Sequence, residues 1–176
     1  ERDIYETRIG KLVKKTAGKL IVKEYPTASA HAGHFKALLE ELKTKQDFIP
    51  DLIIVDYLGI CASEKYKASS GANSYSIYKS VGEELRAVAV ENNVAVLSAI
   101  QTNRSGVGNS ELGMAEISES LGSAMTADFI AAIINTDELK NLKQMMIKLI
   151  KNRYGGLAND KFLMGVDYLR MKLFDL

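Results

Sequence analysis

Asp51-Leu-Ile-Ile-Val-Asp56-Tyr57 is the stretch on which the reading of the whole chain turns. Four consecutive aliphatics bounded by carboxylates are too continuous for a half-exposed antiparallel strand. They predict a strand buried on both faces, the pattern of a parallel sheet. A second run of the same kind, Val94-Ala-Val-Leu-Ser98, follows further on. Between the two, residues 63–76 are polar and hold Gly71, Asn73 and a Ser69-Ser70 pair, which predicts a loop. Ile77, Val81, Leu85 and Val88 then recur at helical spacing as far as Asn92-Asn93. Strand, loop, helix and strand make a βαβ unit, for which a right-handed crossover is the rule.

Working outward, Pro50 and Pro26 mark element boundaries. Phe35, Leu38, Leu39 and Leu42 give one apolar face to a helix that starts at an N-cap Ser29 and ends near Gln46. Residues 3–15 form an amphipathic helix stopped by Gly18, and Leu20-Ile21-Val22 is a short strand. Downstream, residues 102–123 are rich in Gly, Ser and Asn and predict a long exposed loop, a kind that in compact domains is usually functional. Residues 128–134, 145–151, 162–166 and 168–174 read as strands, the last two a hairpin around Asp167. The expected architecture is a single α/β domain, a mostly parallel twisted sheet flanked by helices and closed by a C-terminal β-hairpin.

The composition narrows the function classes. A chain of 176 residues, 47% hydrophobic, supports one core without staples. Its 23 Lys+Arg against 22 Asp+Glu leave a charge of +1, so contact with nucleic acid has to be local and not a global basic excess. No apolar run reaches the roughly 18 residues of a membrane span, and the charged first residues lack the greasy block of a secretory signal. With one cysteine, Cys61, the expected compartment is reducing and cytoplasmic. His31 and His34 sit one turn apart without carboxylate or thiol companions and read as surface or interface residues, Cys61 as a small buried hydrophobe, and the methionines, Met145 and Met146 among them, as core filling.

Three local features carry chemistry. Asp56 ends an aliphatic strand, so it either faces the crevice where α/β sheets bind ligands and holds Mg²⁺ there, or caps the following turn. Gln101 lies just beyond the next strand, placed to bond a γ-phosphate or an attacking water, or else merely solvated. Lys151 and Arg153 share a face at period two near a strand end, suited to one anion, or serve only solubility.

In their order, DLIIVDYLGI (51–60), VGEELRAVAVENNVAVLSAIQTNR (81–104), AEISESLGSAMTADFIAAI (115–133) and KLIKNRYGG (148–156) resemble the C-terminal RecA-like motor domain of the DnaB-type hexameric replicative helicases, in their T4-like phage branch. The stretches look like the Walker B strand, the next helix with its glutamine motif, the following loop and strand, and the arginine-finger strand. The resemblance implies a P-loop NTPase core using Mg²⁺ with ATP or GTP. Asp56 would hold the metal, Gln101 would sense the γ-phosphate, and Lys151 and Arg153 would reach a neighbouring subunit's nucleotide. It also implies two loops lining a channel for single-stranded DNA, with Lys65 and Lys67 on one and Arg104, Ser118, Ser120 and Gly122 on or beside the other. The implied partners are sister subunits of a homo-hexamer, a primase and a helicase loader.

Two departures stand out. The pattern G-x-x-x-x-G-K-[ST] occurs nowhere, since Gly10-Lys11 precedes Leu12 and Gly18-Lys19 precedes Leu20. Leu121 also interrupts the family's double Gly-Ser pattern. Residues 1–176 are thus expected to be part of a motor domain lacking Walker A, inactive alone, within a helicase that translocates on single strands and unwinds duplex at the fork. The alternatives are a RecA-like recombinase that forms filaments, and an inert RecA-like assembly module.

Overall fold

A computed structural model describes residues 2–15, 18–67, 71–101, 126–156 and 160–176. The predicted pair of aliphatic strands forms β1 (Leu52–Val55) and β2 (Ala95–Ser98), parallel and in register from Leu52 opposite Ala95 to Val55 opposite Ser98. A 3₁₀ turn (Leu58–Ile60) and helix α3 (Ser74–Asn92) connect them, after α1 (Arg2–Lys15) and α2 (Ala32–Gln46).

Helix α3 is set at both ends by local chemistry. The Asn73 side chain accepts from the Ser76 N–H at 2.9 Å, and Asn93 terminates the helix in the left-handed region at φ 49°. Its predicted stripe is the core: Val81 and Leu85 pack with Leu58, and around them lie Phe35, Val55, Val96, Ile77 and Ile100. Leu85→Ala removes a side chain from the middle of this cluster and is expected to cost about 2–5 kcal/mol, read as a lowered denaturant midpoint at unchanged slope.

The second half differs from expectation. Strands β3 (Phe129–Ile134), β4 (Gln144–Asn152), β5 (Lys161–Asp167) and β6 (Lys172–Asp175) form an antiparallel sheet in that order, with the short helix α4 (Asp137–Asn141) between β3 and β4. The described strands are therefore mostly antiparallel, because short links join neighbours in this half and only a long crossover yields a parallel pair. The expected C-terminal hairpin is present, but its turn takes up residues 168–171 and β6 starts at Lys172. Asp167 holds that turn by accepting from the Arg170 N–H at 3.1 Å. Gly165 lies opposite Phe174, and the ring occupies the space a Cβ would need.

Other expectations are corrected. Residues 20–22 form no strand, and Leu20 and Val22 stand 83% and 81% exposed, because β-propensity without a neighbouring ladder does not make a strand. Strand β1 is buried on one face only: Leu52 and Ile54 are 49% and 64% exposed, beside Leu97 of β2 on the same outer face. Helix α2 is capped by His31 and not Ser29, whose hydroxyl instead donates to the Pro26 carbonyl at 2.6 Å. The His31 ring accepts from the Gly33 N–H, and the His34 ring accepts from the His31 N–H, so both histidines serve the helix start. Met145 and Met146 are half-buried, whereas Met171 sits on the hairpin turn at 94% exposure and fills no core. The predicted loop at residues 102–123 lies outside the described residues.

Candidate functional site

Because β1 and β2 run parallel and in register, the residues that follow them emerge at one edge. Asp56 leaves β1 and Gln101 follows β2 by three residues, both exposed. Two contacts tie these ends together: the Ser98 hydroxyl donates to the Val55 carbonyl at 2.8 Å, and the Leu58 N–H donates to the Ala99 carbonyl at 3.1 Å. Ile100 packs against both hydrophobic clusters and so fixes the backbone just before Gln101. The turn after Asp56 is closed by backbone bonds, Ile60 N–H to the Tyr57 carbonyl and Cys61 N–H to the Leu58 carbonyl.

A hard cation suits this edge. No group of three or more His, Cys, Asp or Glu gathers among the described residues, so Asp56 has at most one such companion there. That is how Mg²⁺ is usually held, by one or two carboxylates with phosphate oxygens and water completing the shell.

Lys151 and Arg153 stand elsewhere, at the end of β4 in the antiparallel sheet. The Arg153 N–H donates to the Asp128 carbonyl at 3.0 Å, and its Nη1 donates to Asp128 Oδ1 at 2.9 Å. The other carboxylate oxygen, Oδ2, accepts from Arg86 Nη1 at 2.8 Å, and the same nitrogen donates to the Thr126 carbonyl at 2.7 Å. Burial pushes the Lys151 ammonium below its ordinary value and neighbouring Arg153 adds to the effect. The Arg86 hydrogen bond holds the Asp128 carboxyl below the ordinary 3.8. A lowered carboxyl stabilises the fold at and above that ordinary value and loses its contribution as pH falls through the folded value. Melting temperature is accordingly expected to fall with acid below about pH 4, and less steeply in Asp128→Asn.

A second polar cluster was not legible beforehand. Glu84 on α3 accepts from the Ser63 hydroxyl at 2.7 Å, the Ser80 hydroxyl at 2.9 Å and the Glu64 N–H at 3.0 Å, and the Ser63 oxygen accepts from the N–H groups of Lys65 and Tyr66. The backbone carrying Lys65 and Lys67, both exposed, is thereby fastened to the helix. Cys61 is half-buried beside it, and burial followed by the Glu84 charge raises its thiol above the ordinary value. No local spacing announces these roles of Glu84, Asp128 and Arg86, because apart from Ser80, one turn before Glu84, their partners lie 20–42 residues away. Arg104, Ser118, Ser120 and Gly122 lie outside the described residues.

No protein-family model matches the sequence. The chain superimposes on a solved ATPase domain with a TM-score of 0.66 at 15% identity, covering 84% of this chain and 52% of that one. It also superimposes on a DnaB-like replicative helicase, solved together with an account of its interactions with primase, with a TM-score of 0.73 at 16% identity, covering 97% of this chain and 40% of that one. At 15% and 16% identity these likenesses show the class of fold alone, the one shared by that ATPase domain and that DnaB-like helicase. Sequence takes the assignment further. The chain is 49% identical over 154 residues to a DnaB-like replicative helicase of Enterobacteria phage T4, an alignment covering 87% of this chain. It belongs with the DnaB-like replicative helicases, as a segment spanning 32% of that phage protein's length.

Proposed function

We propose that this chain is part of the motor of a ring-shaped replicative helicase, in which NTP hydrolysis drives translocation on single-stranded DNA and unwinding at a replication fork. The observation that carries the reading is the emergence of Asp56 and Gln101 at the same C-terminal edge of a parallel pair. That is where α/β sheets bind nucleotides, and the chain is half identical to a replicative helicase.

In this reading Asp56 holds Mg²⁺, which when bound neutralises charge on the phosphates of ATP or GTP. Gln101 meets the γ-phosphate or the attacking water, anchored through Ile100 to the core that α3 shares with both sheets. Lys151 and Arg153 lie on the other sheet and serve the nucleotide of an adjacent subunit in a homo-hexamer, where cations meet the charge that develops on the transferred phosphoryl group. Lys65, Lys67 and Arg104, with Ser118, Ser120 and Gly122, contact DNA phosphates, a mode that reads no sequence.

No P-loop pattern occurs in the 176 residues, so the phosphate cradle comes from elsewhere in the longer protein and this segment alone does not turn over nucleotide. The aliphatic outer face of Leu52, Ile54 and Leu97 supports this, since parallel sheets are covered on both faces. A primase and a helicase loader are the proposed partners, and the cytoplasm of the host cell is the proposed site of action. None of the described helices is long and apolar enough to cross a membrane. The test is ATP and GTP hydrolysis by the intact protein with and without single-stranded DNA, beside strand separation of a forked duplex and electron microscopy of the assembly. Closed rings, stimulation by DNA and strand separation are expected. Helical filaments would favour a recombinase, and no hydrolysis at all an inert assembly module.

A further inference from the structure

Arg153 lies one residue past the end of β4, just beyond the last paired residues, Phe129 and Asn152. A long cation in that position samples many rotamers unless something grips it. Asp128 grips it twice, at the backbone through its carbonyl and at the guanidinium through Oδ1. Asp128 is in turn fixed by Arg86, which reaches it from α3, a helix whose buried face belongs to the central core. Arg86 Nη1 spans from the Thr126 carbonyl to Asp128 Oδ2, so it holds the residue two positions before Asp128 as well as the carboxylate itself. With each carboxylate oxygen assigned to a different arginine, neither guanidinium turns without giving up a charge-assisted bond. The cluster stays at the surface, with the Arg153 side chain 47% exposed.

We propose that Asp128, braced by Arg86, is the positioning residue that aims Arg153 at the neighbouring subunit's nucleotide. The inference rests on the trans role given to Arg153 above. A ring interface demands such a device. A cation acting across a subunit boundary belongs to one chain while its target belongs to another, so its placement is set from within its own subunit. A misplacement of about 1 Å costs on the order of 100-fold in rate. Asp128 touches no substrate in this account, and its effect passes through Arg153.

The experiment uses the intact protein with single-stranded DNA, read as steady-state hydrolysis with kcat and KM separated. Asp128→Asn is expected to lower kcat about 100-fold with KM for nucleotide nearly unchanged, and Asp128→Glu, which keeps the carboxylate, to recover most of the loss. Combined with Arg153→Lys, which retains a cation, Asp128→Asn is expected to add little to the defect of Arg153→Lys alone, because both act through one group. A merely structural Asp128 would multiply its defect onto that of Arg153→Lys and raise KM as well, and either result overturns the inference. Should Asp128→Asn not fold, Arg86→Lys replaces it, since a lysine loses the span between Thr126 and Asp128; a tenfold or greater fall in kcat at constant KM is expected, and an unchanged kcat overturns it. If Arg153→Ala itself leaves hydrolysis intact, the trans reading fails and the inference with it. If Arg153→Ala stops hydrolysis while Asp128→Asn does not lower kcat, only the inference fails.

Discussion

Replacing Arg153 by alanine in the intact protein is expected to lower kcat for NTP hydrolysis by about 10³–10⁵-fold while nucleotide binding persists. In the proposed trans role the guanidinium would meet charge that builds up only as the phosphoryl group transfers, so its loss would fall on the transition state and spare the ground state. The fold also tolerates the change. Arg153 follows the last residue of β4, and without it Asp128 still pairs with Arg86. Titration with a fluorescent nucleotide analogue beside steady-state turnover checks both halves of the statement. Lost binding with normal turnover at saturation would assign Arg153 to the ground state and remove it from the trans role.

Asp56→Asn is the second large effect. Lewis-acid stabilisation by a bound metal is worth several kcal/mol of transition-state charge, so weakening its protein ligand is expected to cost about 10²–10⁴-fold in kcat/KM, partly restored by raising Mg²⁺. Folding is expected to be unaffected, because the turn after β1 is closed by backbone bonds and the carboxylate is exposed. Wild-type turnover with an unaltered Mg²⁺ requirement would contradict the assignment.

The parts of the fold legible in the sequence are those governed by short-range periodicity. The aliphatic runs of β1 and β2 and the stripe of Val81, Leu85 and Val88 on α3 each announce their element and its buried side. Sheet direction after β2 was not legible, because Phe129–Ile134 and Gln144–Asn152 carry the same aliphatic signal whichever way they run, and only the short link through α4 makes them antiparallel. Burial of β1 on both faces was inferred from composition alone, yet Leu52 and Ile54 face outward, because burial depends on what else lies beside the strand and not on the strand itself. Leu20 and Val22 make the same point for strand formation.

The candidate site divides along the same line. Asp56 and Gln101 are candidates because Asp56 stands directly beyond one aliphatic strand and Gln101 three residues beyond the other, and Lys151 and Arg153 because they alternate near the end of a third. What supports those residues could not be found. Asp128 reads as the start of a strand and Arg86 carries no local signal, and only the packing of α3 brings the two within 2.8 Å. Glu84 reads as one more acid on an amphipathic helix, yet its two oxygens gather the hydroxyls of Ser63 and Ser80 and the backbone of the segment bearing Lys65. Candidate ligand contacts are picked out by residue type and place in the chain, while the groups bonded to them are chosen by the fold.

Mixing subunits tests the central claim, that this segment belongs to a motor whose subunits complete one another's sites. Wild-type and Arg153→Ala forms of the intact protein would be combined at increasing mutant fraction and constant total concentration, and DNA-stimulated hydrolysis followed. A cation that acts across a ring interface predicts activity falling more steeply than the mutant fraction, because each altered subunit disables its neighbour's site and interrupts the ring. Activity falling in simple proportion to the mutant fraction, or hydrolysis indifferent to DNA, would contradict it.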